Sequence, residues 1–235
     1  MAELDITDFK HPISAVTFDL YATLLISDPT VDQTKLAAQV FSRSLRLDGV
    51  ELSEEATAEY FTYTFERGHS DEFTIFEQRI DNFLVPKGIQ AHKSSSHRYA
   101  SDILDSWASR WNLADDTVRV ISELSRSGVS VGLVTNFDHF PHIRDLVAES
   151  ELVPLLDIVV ISSEVGFDKP DARIFASALT LLNVASENTV HVGDDIVDVE
   201  GALGVGMQVV QIDRHSPPNS KGLVEGRRTC DSRVV

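Results

Sequence analysis

The chain has 235 residues, 43% of them hydrophobic, enough to bury one sizeable core with room for a second, smaller module. Its 37 acidic and 20 basic residues give a formal charge of −17, which argues against a nucleic-acid partner; a phosphorylated ligand would need a site made locally positive by a metal ion and a lysine. The apolar runs are far shorter than the ~20 residues of a membrane span, so no membrane partner is expected. No basic-then-apolar leader precedes Ile13, so no secretory signal is expected either. The single cysteine, Cys230, excludes an internal disulfide and fits a reducing, cytoplasmic compartment.

In chain order, the first predicted strand is ISAVTFDL (13–20), with Asp19 at its carboxyl end. Residues 27–112 show no strand run and several amphipathic helical stretches, which predicts an inserted helical module. Ser53 before Glu54 and Glu55 marks a helix start and Gly68 a stop; Pro86 and Gly88 punctuate the next pair. Trp107 and Trp111, four apart, are expected to share the core side of the module's last helix. Asp115 is expected to begin, and Gly128 to end, the helix that returns to the sheet. Strands then follow at VSVGLV (129–134), DIVVI (157–161), TVHVG (189–193) and MQVVQI (207–212), alternating with helices over 141–150, 171–182 and 196–204. Strands that are apolar throughout and alternate with helices imply a parallel sheet covered on both faces, a doubly wound α/β fold. The expected domains are a core of 1–26 and 113–235 and a helical module of 27–112, with a fraying polar tail.

In such a sheet, ligands bind beyond the carboxyl ends of the strands, and the chemistry-bearing residues fall there. Asp19 follows the first strand, Thr135 follows VSVGLV, Lys169 lies in the loop after DIVVI, and Asp194 and Asp198 follow TVHVG. Singly, each has a bland reading: a helix cap, a solvated Lys-Pro turn, an acidic turn. Four loops converging on one edge point instead to a covalent hydrolase: a carboxylate nucleophile, a hydroxyl and a lysine for an anionic substrate, and acidic groups for a cation.

These segments resemble the haloacid dehalogenase-like hydrolase superfamily over nearly the whole chain. FDLYATL looks like its first motif, LVTN its second, the lysine of GFDKPD its third and VGDDIVD its fourth; the 27–112 insertion stands where the family places a helical cap. The stretch from NFD (136–138) through KPDARIF and HVGDD also resembles the domain-containing-protein-3 branch. The resemblance implies that Asp19 attacks the substrate, Thr135 hydrogen-bonds the transferred group, and Lys169 neutralises charge and orients Asp19. Tyr21, Thr23 and Asn136 are expected to contact substrate, which would be a small phosphorylated molecule. Mg²⁺ would be held by Asp19, the Tyr21 carbonyl and Asp194, with Asp198 behind them.

Two departures pull in opposite directions. Tyr21 replaces the second aspartate that protonates the leaving oxygen in the family's phosphatases, and resembles the tyrosine of its dehalogenases. The acidic fourth motif resembles the phosphatases instead, since the metal-free dehalogenases carry SSNxxD there. Phe175 replaces a dehalogenase tyrosine, the halide-cradling arginine has no counterpart, and Ala22 replaces a loop glycine. The reading is therefore a Mg²⁺-dependent phosphatase, with a metal-free 2-haloacid dehalogenase or a catalytically weak binding protein as alternatives; oligomeric state is left open. His139 and His142 read as loop residues and His191 as a core histidine. Arg67, His69 and Arg79 read as solvated, and Phe61, Tyr63, Phe65, Phe73 and Phe76 as module core.

Overall fold

The computed structural model describes residues 11–68 and 70–214, and the backbone of 228–231. The chain divides into two compact units, residues 28–111 and the remainder. The first strand, β1 (Ala15–Phe18), is fully buried, and the short β2 (Leu25–Ser27) follows it.

The helical unit contains α1 (Gln33–Leu47), α2 (Glu54–Ala58), α3 (Ile75–Leu84) and α4 (Lys93–Ala108). Side-chain oxygens of Asp32, Ser53 and Thr74 accept the first-turn amides of α1, α2 and α3, and Glu77 completes a capping box in α3. Helix α2 ends at Ala58 and a 3₁₀ turn over Glu59–Thr62 ends the segment, so the stop comes well before Gly68. The core of this unit is aromatic: the Phe41 ring lies 5.3 Å from Tyr60 and 6.0 Å from Tyr99, and Tyr60 lies 5.7 Å from Phe83. All four are essentially buried, as is Phe76, whereas Phe61, Tyr63, Phe65 and Phe73 are only half-buried. Burying each large side chain contributes on the order of 1.5–3 kcal/mol, so these rings dominate the unit's stability.

Helix α4 stops at Ala108, so Trp111 does not share it with Trp107: it opens the strand β3 (Trp111–Leu113), paired with β2. The two indoles still meet edge to face, 6.0 Å apart. The return helix α5 (Thr117–Arg126) begins two residues after Asp115, with Asp116 at its N-cap position but making no side-chain cap bond, and Gly128 follows it with φ +77°.

Next come β4 (Ser130–Thr135), α6 (Phe140–Ala148), β5 (Ile158–Ile161), α7 (Ser162–Val165), α8 (Ala172–Leu182), β6 (Thr189–Gly193), α9 (Ile196–Gly204) and β7 (Gln208–Asp213). A further strand, β8 (Arg228–Asp231), falls in the tail expected to fray and places Cys230 in the sheet; the rest of that tail lies outside the described residues. The sheet is parallel, in the order β5-β4-β1-β6-β7-β8. Helices α8 and α9 pack on one face through Ile174, Phe175, Val199 and Ala202, and α5 serves the other. This is the doubly wound α/β fold. β1 stands between β4 and β6, so the chain leaves it in opposite directions and the carboxyl ends of these three strands enclose a crevice.

Candidate active site

The crevice is built around one lysine. Lys169 Nζ donates to Asp19 Oδ1 at 2.5 Å and to Asp198 Oδ1 at 2.6 Å, and all three residues are buried. Asp19 is fixed at the end of β1, where its amide donates to the Val192 carbonyl at 2.8 Å. Asn136 sets the lysine loop: its Oδ1 accepts from Lys169 N at 2.7 Å and its Nδ2 donates to the Lys169 carbonyl at 3.0 Å. The Asn136 side chain, expected to contact substrate, bonds the Lys169 backbone through both its oxygen and its nitrogen, a pairing across two loops that no local sequence signal announces.

The acidic turn after β6 serves two purposes. Asp195 caps α9, and Asp198 closes the capping box by accepting from Asp195 N through Oδ2 at 3.3 Å. Asp198 Oδ1 also lies 2.9 Å from His191 Nε2. Gly193 makes room for this carboxylate, because a Cβ there would fall 2.4 Å from Asp198 Cγ. Asp194 Oδ1 accepts from Thr23 Oγ1 at 3.3 Å, so Thr23, expected on substrate, faces this acid. Thr23 is held in turn by Arg214, which donates to its carbonyl at 2.9 Å and pairs with Asp116 at 2.7 Å. The sequence reading missed Arg214 and Asp116, which sit in no motif.

Oxygens of Asp19, Asp194 and Asp198 lie within 4.8 Å of one another, which places the two β6-turn acids beside Asp19. These carboxylates repel in a half-dry crevice. Burial, then the charges of Asp19 and Asp198, push Asp194 up to about 6. Burial also raises Asp19, in spite of Lys169. Although burial opposes it, the His191 hydrogen bond and the Lys169 charge hold Asp198 at about 2. Burial alone would lower Lys169, but Asp19 and Asp198 outweigh it and keep the ammonium charged. The donor set fits a hard divalent cation: it is all carboxylate oxygen, and Asp198, whose two oxygens already serve Lys169, His191 and Asp195, leaves Asp19 and Asp194 to meet the ion.

Thr135 closes β4 with its hydroxyl buried and, among the described residues, without a hydrogen-bond partner. A buried unpaired hydroxyl costs on the order of 1–3 kcal/mol, a cost that a ligand oxygen removes. Tyr21 stacks on Phe137 at 5.6 Å. Burial and the Asp19 charge raise its phenol above the ordinary 10.0.

Other expectations resolve simply. His139 caps α6 by accepting from His142 N, and among the described residues only the aspartate trio offers three or more metal-binding side chains in one place. His191 is fully buried with both ring nitrogens engaged. Arg79 lies 6.0 Å from the Phe65 ring, and His69 lies outside the described residues.

Fold and site together define a hydrolase of the α/β class with an aspartate at its centre, and the chain belongs to the haloacid dehalogenase-like hydrolase family, which it matches over residues 13–206. Human haloacid dehalogenase-like hydrolase domain-containing protein 3 is 31% identical over 125 residues, 53% of this chain and 45% of that protein, so the resemblance to that branch holds. The phosphatase YigB of Escherichia coli, named for 5-amino-6-(5-phospho-D-ribitylamino)uracil, is 27% identical over 232 residues, covering 95% of this chain and 90% of that one. The chain spans about half the length of several curated relatives it matches. Magnesium-bound YfnB of Bacillus subtilis shares the fold, with a TM-score of 0.60 and 19% identity over 93% of this chain and 94% of that one. Among the described residues no helix is long and apolar enough to cross a membrane.

Proposed function

We propose that this protein is a Mg²⁺-dependent phosphatase that hydrolyses a small organic phosphate through an aspartyl phosphate on Asp19. The observation that carries the reading is the carboxylate trio, three acids crowded within 4.8 Å with Asp194 forced up to about 6, a mutual repulsion that a bound divalent cation relieves. The orphaned Thr135 hydroxyl and relatives named as phosphatases support it.

Asp19 attacks phosphorus, the bond to the leaving oxygen breaks, and water then attacks the phosphorus of the acyl phosphate, releasing inorganic phosphate and restoring the carboxylate. Thr135 donates to a phosphoryl oxygen, while Lys169 offsets charge on Asp19 and on the equatorial oxygens. When bound by Asp19, the Tyr21 carbonyl and Asp194, with Asp198 behind them, Mg²⁺ supplies the positive charge that lets two anions meet. Asn136 serves this chemistry by clasping Lys169, and Thr23 by holding Asp194. The single cysteine fits a cytoplasmic setting.

Tyr21, its phenol raised by burial and the Asp19 charge, is a poor general acid for the leaving oxygen near neutral pH. The substrates that suit this site are those whose leaving group departs as a stable anion: aryl, acyl or allylic phosphates, or diphosphates. Aryl phosphates should turn over at least ~100-fold faster than alkyl phosphates, because a general acid supplies about that factor where one exists. Equal rates in a leaving-group series would show that an acid is present after all.

The same Tyr21 favours a second reading, metal-free 2-haloacid dehalogenation, since halide leaves without a proton. Phosphate release from p-nitrophenyl phosphate and chloride release from 2-chloropropionate, each with Mg²⁺ and with EDTA, separate the two. Phosphate release lost in EDTA supports the phosphatase; chloride release that survives EDTA overturns it.

A further inference from the structure

The polar residues Thr17 and His191 lie in the middle of β1 and β6, each flanked by apolar residues, and neither is exposed at all. They are register partners on the adjacent strands β1 and β6, and Thr17 stands two residues before Asp19, projecting to the same face of the sheet. Thr17 Oγ1 lies 2.8 Å from His191 Nδ1, and His191 Nε2 lies 2.9 Å from Asp198 Oδ1. That oxygen also receives Lys169, which reaches Asp19. The contacts form a closed circuit: Asp19 to Lys169, to Asp198, to His191, to Thr17, and back along β1 to Asp19. Phe175 seals it, its ring set edge-on to the imidazole at 5.1 Å.

We propose that His191 is a positioning residue for the phosphatase chemistry above: held from behind by Thr17, it fixes the Asp198 carboxylate so that Lys169 is aimed at Asp19. The inference rests on that reading of the site. Asp198 is an acceptor, so Nε2 carries the proton on that side; the Thr17 hydroxyl, able to donate or accept, satisfies Nδ1 in either ring state. Gly193 leaves the carboxylate room, and Asp195 N holds only its other oxygen. Without the imidazole, the oxygen that receives Lys169 loses its second anchor, and the ammonium gains freedom to leave the nucleophile. A ring that only filled space would not need a donor at Nε2.

The test is a donor series at one position. His191→Gln places an amide N–H near Nε2, His191→Asn stops near Nδ1, and His191→Phe keeps the volume without a donor. Each is assayed with p-nitrophenyl phosphate and Mg²⁺ below its thermal midpoint, beside Thr17→Val. His191→Gln should keep kcat within about threefold of wild type. His191→Asn and His191→Phe should lose about 10–100-fold in kcat with KM within about threefold, the usual scale for a partner that orients a ligand. Should either of those fail to fold, Thr17→Val, with a kcat loss of roughly 3–10-fold, and His191→Gln carry the comparison. A series in which Gln does no better than Asn and Phe, or in which all keep wild-type kcat, overturns the proposal while leaving the phosphatase reading intact. A wild type that releases no phosphate with Mg²⁺ overturns both.

Discussion

Ala22 follows Tyr21 with φ +59°, a left-handed conformation that costs an L residue with a Cβ roughly 1–2 kcal/mol and glycine almost nothing. Ala22→Gly should therefore stabilise the protein by up to about 1 kcal/mol after the added freedom of the unfolded chain is counted, read as a rise in urea midpoint. A lower midpoint would show that the alanine methyl makes contacts worth more than the strain. Gly193 is the opposite case. Its missing side chain is space for Asp198, so Gly193→Ala should displace that acid and reduce kcat by at least ~10-fold, the scale for a disturbed orienting partner. Wild-type kcat in that variant would mean that Asp198 is free to move. The sequence motifs name Asp19, Thr135, Lys169 and Asp194, but they do not show that the Asn136 side chain bonds the Lys169 backbone. That depends on a bond between residues 33 positions apart.

At the scale of elements, the turn between β6 and α9 is both a helix cap and an acidic cluster, so a cation bound there would compete with protons. Burial and the charges of Asp19 and Asp198 raise Asp194 from the ordinary 3.8 to about 6. A raised carboxyl keeps its proton below that value, and a cation must displace it. Magnesium affinity should therefore fall as pH drops through about 6, with proton release on binding at pH 5.5 that fades by pH 7.5. Calorimetry in two buffers of different ionisation enthalpy reads this directly, and equal heats at pH 5.5 would contradict it. Strands β1, β4, β5, β6 and β7 were legible because parallel strands buried on both faces read as mostly apolar runs, in spite of interruptions such as Thr17 and His191. β2 and β3, three residues each, are too short to show a period, and the polar RTCD of β8 pairs against β7 without an apolar signal. The Thr17–His191 contact was not legible either. It spans 174 positions and follows from strand register, which no motif encodes.

For the whole molecule, charge and site oppose each other. A net charge of −17 would repel the anionic substrate of the proposed phosphatase at long range, although Lys169 and a bound cation would attract it at short range. Raising ionic strength screens the long-range part first, since the Debye length falls from ~30 Å at 0.01 M to ~8 Å at 0.15 M. The kcat/KM for a small dianionic phosphate should therefore rise with added salt across that range. A fall would mean that the local positive field governs encounter.

The central claim is that Asp19 becomes phosphorylated. The direct measurement is acid quenching of the protein during turnover of an aryl phosphate with Mg²⁺, followed by mass spectrometry of the peptide that contains Asp19. A phosphoryl adduct is expected on Asp19, absent with EDTA and absent in Asp19→Asn. Turnover with no adduct on Asp19, or an alkyl ester formed there from 2-chloropropionate in EDTA, would contradict it.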